Sequence, residues 1–309
     1  MKNNLSLNYS KVDFIDFLKI YKKRPFKTND GGMKLQHSFF FHTLLKKIKP
    51  KFIIESGVHK GHSTFIIEKT LPNSEILCFE PQLENIIYKS KKATYYNYDL
   101  KHHDFSKLNK YKTLLFLDDH QSFVDRLYYI IFNKFIHVAV DDNFLVNGDC
   151  YSPKQILSSK TYNLKYYILN FLSLKTVFKF LVNSLTSYST KKNFFFVKRK
   201  LLYTELISKF HYVPSHHVEK KILKKNLDYY YEFPQLTKIN LFKKFTNMSN
   251  KNIFYKNFHL NIFKNSLNKN IAKVFTKKEL DFLMNKFSIN TKELDNYNNF
   301  CYLKFRSNE

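Results

Sequence analysis

The pattern of apolar and polar residues changes at residue 51. Upstream of it, apolar residues recur at helical spacing from His37 to Leu45, and Pro50 ends the pattern. Downstream, short β-branched and aromatic runs alternate with longer amphipathic stretches. The runs predicted as strands are 52–55, 75–80, 94–98, 113–117 and 136–140. This alternation predicts an α/β fold, a doubly wound and mostly parallel sheet with helices on both faces.

The pattern of apolar and polar residues along the whole chain predicts that it is organised in three parts. Residues 1–50 form a helical lead-in, 51–160 the Rossmann-like core, and 161–309 a basic, largely helical extension or insertion. The stretches predicted as helices are 63–70, 83–92, 123–133, 166–185 and 277–287, and a run at 300–305 predicts a last strand. His211, His216 and His217 are read as a loop around Pro214, because no cysteine or acidic ligand accompanies them as a zinc site requires.

Composition narrows the class of protein. With 309 residues, 44% of them hydrophobic, the chain has enough apolar material for a core, which excludes a disordered chain. No run approaches the ~20 uncharged apolar residues of a membrane span, and the N-terminus lacks the apolar stretch of a secretory signal. Cys78, Cys150 and Cys301 lie far apart, which argues against a disulfide framework or a metal pair. A cytoplasmic location is expected.

The formal net charge of +27 is concentrated in the second half of the chain. Residues 1–150 contain 23 basic and 16 acidic residues, whereas residues 151–309 contain 29 and 9. Such a surface is compatible with nucleic acid or with peripheral contact to an anionic membrane. Lys, Asn, Ile, Phe and Tyr all have AT-rich codons, however, and we favour codon bias as the source of most of this charge.

Glycine is scarce, and two of the five glycines follow the first predicted strand. In parallel sheets the ligand binds beyond the carboxyl ends of the strands. Glu55, Gly57, Gly61 and Ser63 form the pattern E-x-G-x-x-x-G-x-S, which indicates a turn into a helix N-terminus that contacts a ligand. Glu80 ends the second strand, 19 residues after Gly61, where it could accept hydrogen bonds from ribose hydroxyls. The alternatives are a helix-entry loop without a ligand and a Glu that caps the next turn.

Acidic residues cluster after the fourth and fifth predicted strands. Asp118 and Asp119 follow the fourth strand, and Asp141, Asp142 and Asn143 follow the fifth. Unpaired carboxylates at adjacent strand ends would repel one another and raise their pKa values. A divalent cation such as Mg²⁺ would neutralise them with oxygen ligands. The alternative is that these residues are helix N-caps.

These motifs, in this order, resemble the metal-dependent O-methyltransferases of the catechol O-methyltransferase type, which have the class I S-adenosylmethionine-dependent fold. The resemblance covers roughly residues 30–160 and implies that Asp118, Asp142 and Asn143 bind Mg²⁺ or another divalent cation. The doubled acid is similar to the cephalosporin hydroxylase-like branch, which adds Asp141. The residues that would bind S-adenosylmethionine are Glu55, Gly57, Gly61, Ser63 and Glu80. In such folds the final strand is antiparallel and inserts into the sheet.

The sequence departs from this family at the position of its catalytic lysine, where Gln121 stands. Gln121 cannot act as a base, and His120 is the nearest titratable substitute. We therefore assign His120 as the candidate base and Asp118 as the candidate residue that holds the acceptor oxygen through the cation. An acceptor hydroxyl bound to the cation would need little help from a base to lose its proton, because the cation lowers the pKa of the hydroxyl.

The leading hypothesis is an S-adenosylmethionine-dependent, Mg²⁺-assisted O-methyltransferase that acts on a hydroxyl of a small molecule or glycan. An RNA methyltransferase is the second hypothesis, based on the basic, aromatic-rich second half. A catalytically silent protein of this fold, binding a membrane or partner through its basic half, is the third. The sequence does not identify the acceptor or the oligomeric state.

Overall fold

The computed structural model describes residues 9–27, 29, 31–143, 152–158, 216–233, 275–294 and 299–307. Within these residues, seven strands form one sheet. They are β1 (Phe52–Ser56), β2 (Glu75–Phe79), β3 (Ala93–Tyr96), β4 (Thr113–Leu117), β5 (His137–Asn143), β6 (Leu227–Glu232) and β7 (Asn299–Phe305). The helices are α1 (Lys11–Tyr21), α2 (Leu35–Ile48), α3 (His62–Thr70), α4 (Phe123–Phe132), α5 (Pro153–Ser158), α6 (His216–Asn226) and α7 (Lys277–Phe287).

The strand order is β3-β2-β1-β4-β5-β7-β6. The first five strands pair in parallel, and β7 enters antiparallel between β5 and β6. The order reverses at β1, so the carboxyl ends of β1 and β4 border the crevice where ligands bind in such sheets. This topology confirms the predicted Rossmann-like, mostly parallel sheet of the class I methyltransferase type, and β7 matches the last strand predicted at 300–305.

The sheet separates two hydrophobic layers, because successive strand residues face opposite sides. In β1, Ile53 packs with the layer of α1, α2, α3 and α7, whereas Ile54 packs with the layer of α4, α5 and α6. Phe41 of α2 stacks on Phe116 of β4, with ring centroids 4.2 Å apart. The amino-terminal helices therefore share the core of the sheet.

Helix ends follow the capping rules. α1 and α7 each begin with a capping box, Ser10 with Asp13 and Thr276 with Glu279, which satisfies backbone N–H groups of the first turn. α2 ends at Lys49, which adopts the left-handed conformation directly before Pro50. These signals explain why the predicted helix at 277–287 has the same bounds as α7.

The predicted helix over 83–92 is wrong. Only a 3-10 turn, Leu83–Asn85, forms in this stretch. The backbone N–H groups of Ile87 and Tyr88 donate instead to the Lys60 carbonyl, at 3.2 and 3.0 Å. The segment is therefore bound to the loop that follows β1 rather than folded on itself.

The predicted loop at His216 and His217 is also wrong, because both lie in α6. The helix packs on the core through Leu223, which lies six residues after His217 and is fully buried. His211 and the predicted helix 166–185 lie outside the described residues. In the described part of the chain, no helix is long and apolar enough to cross a membrane.

Candidate functional site

The loop from β1 to α3 requires glycine at two positions. Gly57 and Gly61 have φ values of +85° and +89°. A Cβ on Gly57 would lie 2.0 Å from the Asp118 carbonyl oxygen, and one on Gly61 would lie 2.2 Å from the Tyr88 carbonyl oxygen. The loop thus lies directly on the end of β4 on one side and on the segment after β2 on the other.

The side chain of Glu80 holds this loop by accepting hydrogen bonds from the backbone of the loop. Its Oε2 accepts hydrogen bonds from the N–H groups of Val58 (3.1 Å) and His59 (3.0 Å), and its Oε1 accepts one from Gln82 (3.1 Å). A carboxylate offers about four acceptor positions, so only about one is left. Binding both hydroxyls of a ribose would require release of one of these backbone bonds.

Glu55 and Ser63 lie beneath the loop and are both buried. The Thr64 hydroxyl (2.7 Å) and the Cys78 thiol (3.3 Å) donate to Glu55 Oε2, whereas Oε1 makes no hydrogen bond within the described residues. Burial raises the pKa of Glu55 to about 7, although the neighbouring hydroxyls of Ser63 and Thr64 oppose this shift. Glu55 therefore anchors α3 to the sheet through the hydroxyl groups at the start of that helix.

The raised pKa of Glu55 makes unfolding depend on pH. The folded state retains the proton more tightly than the unfolded state, so its stabilising contribution is complete below about pH 4.5 and is lost as the pH rises through 7. Between pH 5 and pH 8, wild type should lose about 2.5 kcal/mol of unfolding free energy relative to Glu55→Gln. Urea unfolding of both proteins at several pH values measures this difference, and parallel curves would contradict it.

Three ligand-type side chains meet at the carboxyl ends of β4 and β5. One ligand atom from each of Asp118, His120 and Asp142 lies within 4.8 Å of the others. His120 Nδ1 is 3.3 Å from Asp142 Oδ2, and His120 has a φ of +52°. Burial, followed by the charges of Asp141 and Asp142, raises the pKa of Asp118 well above its usual range.

Asp141 and Asn143 do not join this group. Asp141 faces α2, where its Oδ1 lies 2.6 Å from His37 Nδ1, and both side chains are 2% exposed. Asn143 is fully buried; its amide donates to the Tyr230 hydroxyl at 2.7 Å, and its oxygen accepts the backbone N–H of Lys154 at 3.0 Å. The all-oxygen set of Asp118, Asp141, Asp142 and Asn143 is therefore not assembled. Asp141 and Asp142 are consecutive residues of β5 and face opposite sides of the sheet. The register of β5 against β7 also shifts between Val140 and Asn143, and Asn143 lies against Tyr230 rather than against α2.

Asp141→Ala should lower the free energy of unfolding by about 2–3 kcal/mol, because it removes the buried carboxylate that lies 2.6 Å from His37 Nδ1 and leaves a cavity in its place. Donor affinity of the folded variant should stay within about two-fold of wild type, since a role in packing leaves the loop after β1 unchanged. Urea unfolding and calorimetric titration measure the two quantities. A variant of wild-type stability that has lost donor binding would contradict this assignment.

A second buried network lies beside the site and was missed in the sequence. Arg126 of α4 donates to both carboxylate oxygens of Asp99 at 2.8 Å and to Asp119 Oδ2 at 2.7 Å. Asp119 also accepts the Ser56 hydroxyl at 2.6 Å and the Gln121 backbone N–H at 3.1 Å. The strand-end rule, applied to β3, points to Asp99, but its pairing with Arg126 depends on the packing of α4.

The space enclosed at the site is small. Among the described residues, a cavity of about 10 Å³ is lined by apolar residues of β4, α4 and β5 and by five polar ones: Asp119, His120, Gln121, Arg126 and Asp142. This is room for about one water-sized group.

No protein-family model matches the sequence, and no curated protein matches it. Among solved structures, similar chains include the plantazolicin methyltransferase BpumL in complex with a monoazolic desmethylPZN analog and SAH. That chain is 13% identical, with 96% of this chain and 86% of that chain covered and a TM-score of 0.34.

A putative O-methyltransferase from Klebsiella pneumoniae is 13% identical over 48% of this chain and 71% of its own, with a TM-score of 0.31. The SAH-bound Podospora anserina methyltransferase PaMTH1 is 15% identical over 42% of this chain, with a TM-score of 0.30. The match spans 60% of the Podospora protein's own length. At these values the likeness carries no argument about activity, and the fold assignment rests on the strand order given above.

Proposed function

We propose that this protein is an S-adenosylmethionine-dependent methyltransferase that transfers the methyl group to a hydroxyl oxygen of a small molecule or glycan. One observation carries the proposal. A loop with two left-handed glycines follows β1, and a group of acidic and imidazole side chains follows the neighbouring strands β4 and β5. A methyl donor in the loop and an acceptor oxygen at the acidic group would then lie on adjacent strand ends.

The loop suits the chemistry of the donor. A Cβ at Gly57 or Gly61 would collide with a backbone carbonyl of a neighbouring segment, so glycine allows the loop to pack directly against the strand ends. The first-turn N–H groups of α3, among them that of Ser63, have no partner within the helix and suit the carboxylate of the donor. Glu80 would accept one ribose hydroxyl, and Glu55 would support the loop from below through Thr64.

Asp142 and His120 suit the removal of the acceptor proton. If Nδ1–H of His120 donates to Asp142, the ring adopts the tautomer in which Nε2 is the basic nitrogen. Nε2 would then take the proton from the acceptor hydroxyl as the methyl group arrives. Asp142 would hold the ring and stabilise the imidazolium that forms, as the acid does in a Ser-His-Asp triad. This arrangement replaces the lysine that Gln121 cannot supply.

The predicted Mg²⁺ site fits the structure only in part. The ligand atoms of Asp118, His120 and Asp142 fit a cation with mixed nitrogen and oxygen ligands, such as Mn²⁺ or Zn²⁺, better than they fit Mg²⁺, which prefers oxygen. A cation bound there would lower the pKa of the acceptor hydroxyl. His120 would then act as a ligand, and Asp118 would keep its charge despite its raised pKa.

Transfer of a labelled methyl group tests this proposal. Wild type is incubated with labelled S-adenosylmethionine and a panel of catechols, phenols and sugars, in EDTA, in Mg²⁺ and in Mn²⁺. We expect ether-linked label on at least one acceptor. Methyl transfer that continues in EDTA would support His120 as the base. Methyl transfer that is lost in EDTA and restored by Mn²⁺ would support activation of the acceptor hydroxyl by a bound cation. A parallel reaction contains RNA and amines in place of these acceptors. Label found only in that reaction would contradict the proposal.

A further inference from the structure

A groove of about 470 Å³ lies at the edge of the sheet opposite the candidate site. Its walls are the end of α2, the start of β1 and the turn between α3 and β2. The polar residues that line it are Lys46, Lys49, Lys51, Thr70, Asn73 and Ser74. The groove lies at the amino ends of β1 and β2, and the residues that suit the methyl donor lie at their carboxyl ends. It is therefore separate from the site of the proposed function.

Positive charge in this groove is not balanced by the residues that line it. The lining contains three lysines and no acidic residue, and all three lysines are exposed. Lys46 lies 4.0 Å from the carboxylate of Asp13, whereas Lys49 and Lys51 make no ion pair within the described part of the chain. The dipole of α2 accounts for a lysine in its last turn, such as Lys46. Lys49, the C-cap residue, lies at the same negative end of the dipole, whereas Lys51 lies two residues further along the chain, where the effect of the dipole falls off.

The backbone that carries these lysines is fixed on both sides. The Lys49 N–H donates to the Leu45 carbonyl at 2.8 Å, and the Ser74 hydroxyl donates to the Pro50 carbonyl at 2.7 Å. Lys51 is held by its N–H, which donates to Lys112, and by its carbonyl, which accepts from the next strand. A ligand would therefore not have to order the backbone when it binds, which lowers the cost of association.

We propose that this groove binds a small anion that carries two or more phosphate groups. Its volume lies within the range of about 300–1,000 Å³ that is typical of ligand sites. Lysine binds phosphate as a point charge, and three lysines in one concave lining that contains no acidic residue favour a multiply charged anion over a single carboxylate. Thr70 and Asn73 add neutral polar groups to the same walls.

Calorimetric titration with inorganic tripolyphosphate tests this site. We compare wild type, Lys49→Glu/Lys51→Glu, and the control Lys221→Glu/Lys225→Glu. The control changes the charge by the same amount on exposed positions of α6, in the opposite layer. Vesicles of phosphatidylcholine, with and without phosphatidic acid, show whether a lipid headgroup supplies the phosphate.

The groove variant should bind tripolyphosphate at least about 10-fold more weakly than wild type, and the control within about two-fold. Binding to phosphatidic acid vesicles alone, lost in the groove variant, would show recognition of a lipid monophosphate and would overturn the proposal of a small anion with two or more phosphate groups. Equal weakening in both variants would show binding to net charge and would overturn the proposal, as would the absence of binding to either probe. Binding of S-adenosylmethionine, measured in parallel, should be unchanged in both variants, so failure here is distinct from failure of the proposed function.

Discussion

Gly57→Ala is expected to abolish donor binding and to lower the free energy of unfolding by about 4 kcal/mol. Two causes add. At a φ of +85° any side chain is strained, and the new Cβ would lie 2.0 Å from the Asp118 carbonyl oxygen and 2.8 Å from the Asp119 Cα. Because both atoms belong to the backbone at the end of β4, relief requires β1 and β4 to separate. Urea unfolding and titration with S-adenosylmethionine measure the two effects.

Gly31→Ala is the matched control. Gly31 has nearly the same φ, +81°, but a Cβ there would meet no atom of the described residues within 4 Å. Gly31→Ala should lower the free energy of unfolding by only about 1 kcal/mol, from backbone strain alone, and should leave donor affinity unchanged. Equal losses in the two variants would show that strain, and not the contact between the loop and β4, is responsible.

Asp142→Asn is expected to lower turnover by about 10²–10⁴-fold while donor affinity stays within about two-fold. The substitution preserves the shape of the side chain but removes the charge that faces His120 Nδ1 at 3.3 Å. Transfer is measured with the acceptor that wild type methylates fastest. Asp125→Asn, an exposed acid in the first turn of α4, is the control for loss of one charge and should leave turnover within about two-fold.

The double variant His120→Gln/Asp142→Asn separates a working pair from two independent residues. Residues that act as a unit are strongly non-additive. If Asp142 acts through His120, the double variant should be about as slow as the slower single variant. Multiplied losses in the double variant, or full activity of His120→Gln, would contradict the pairing.

The parts of the fold that the sequence predicted are those in which burial or a local helix cap determines the pattern. β4 is buried at every position, and the apolar run at 113–117 predicted its bounds. α7 was predicted with the same bounds because local capping sets its start. The failure at 83–92 has a different cause, since its amide groups bond to Lys60 in a loop more than twenty residues away, which no local pattern records.

In the candidate site, too, the sequence predicted the features that a local pattern records and missed those that depend on the course of the strand. The glycines after β1 were found because their spacing and scarcity are visible in the sequence, and their collisions with Asp118 and Tyr88 explain why only glycine fits. The roles of Asp141 and Asp142 were not separated, because the predicted strand stopped at Val140. Had the strand been extended through Asn143, the two-residue alternation would have placed the two acids on opposite faces.

Calorimetric titration of the wild-type protein with S-adenosylmethionine, in EDTA and in Mn²⁺, tests the central claim most directly. The account predicts one site with micromolar affinity in both buffers, which is lost in Gly57→Ala and retained in Gly31→Ala. The absence of binding by folded wild type in either buffer would contradict the assignment of the loop after β1 as the donor site.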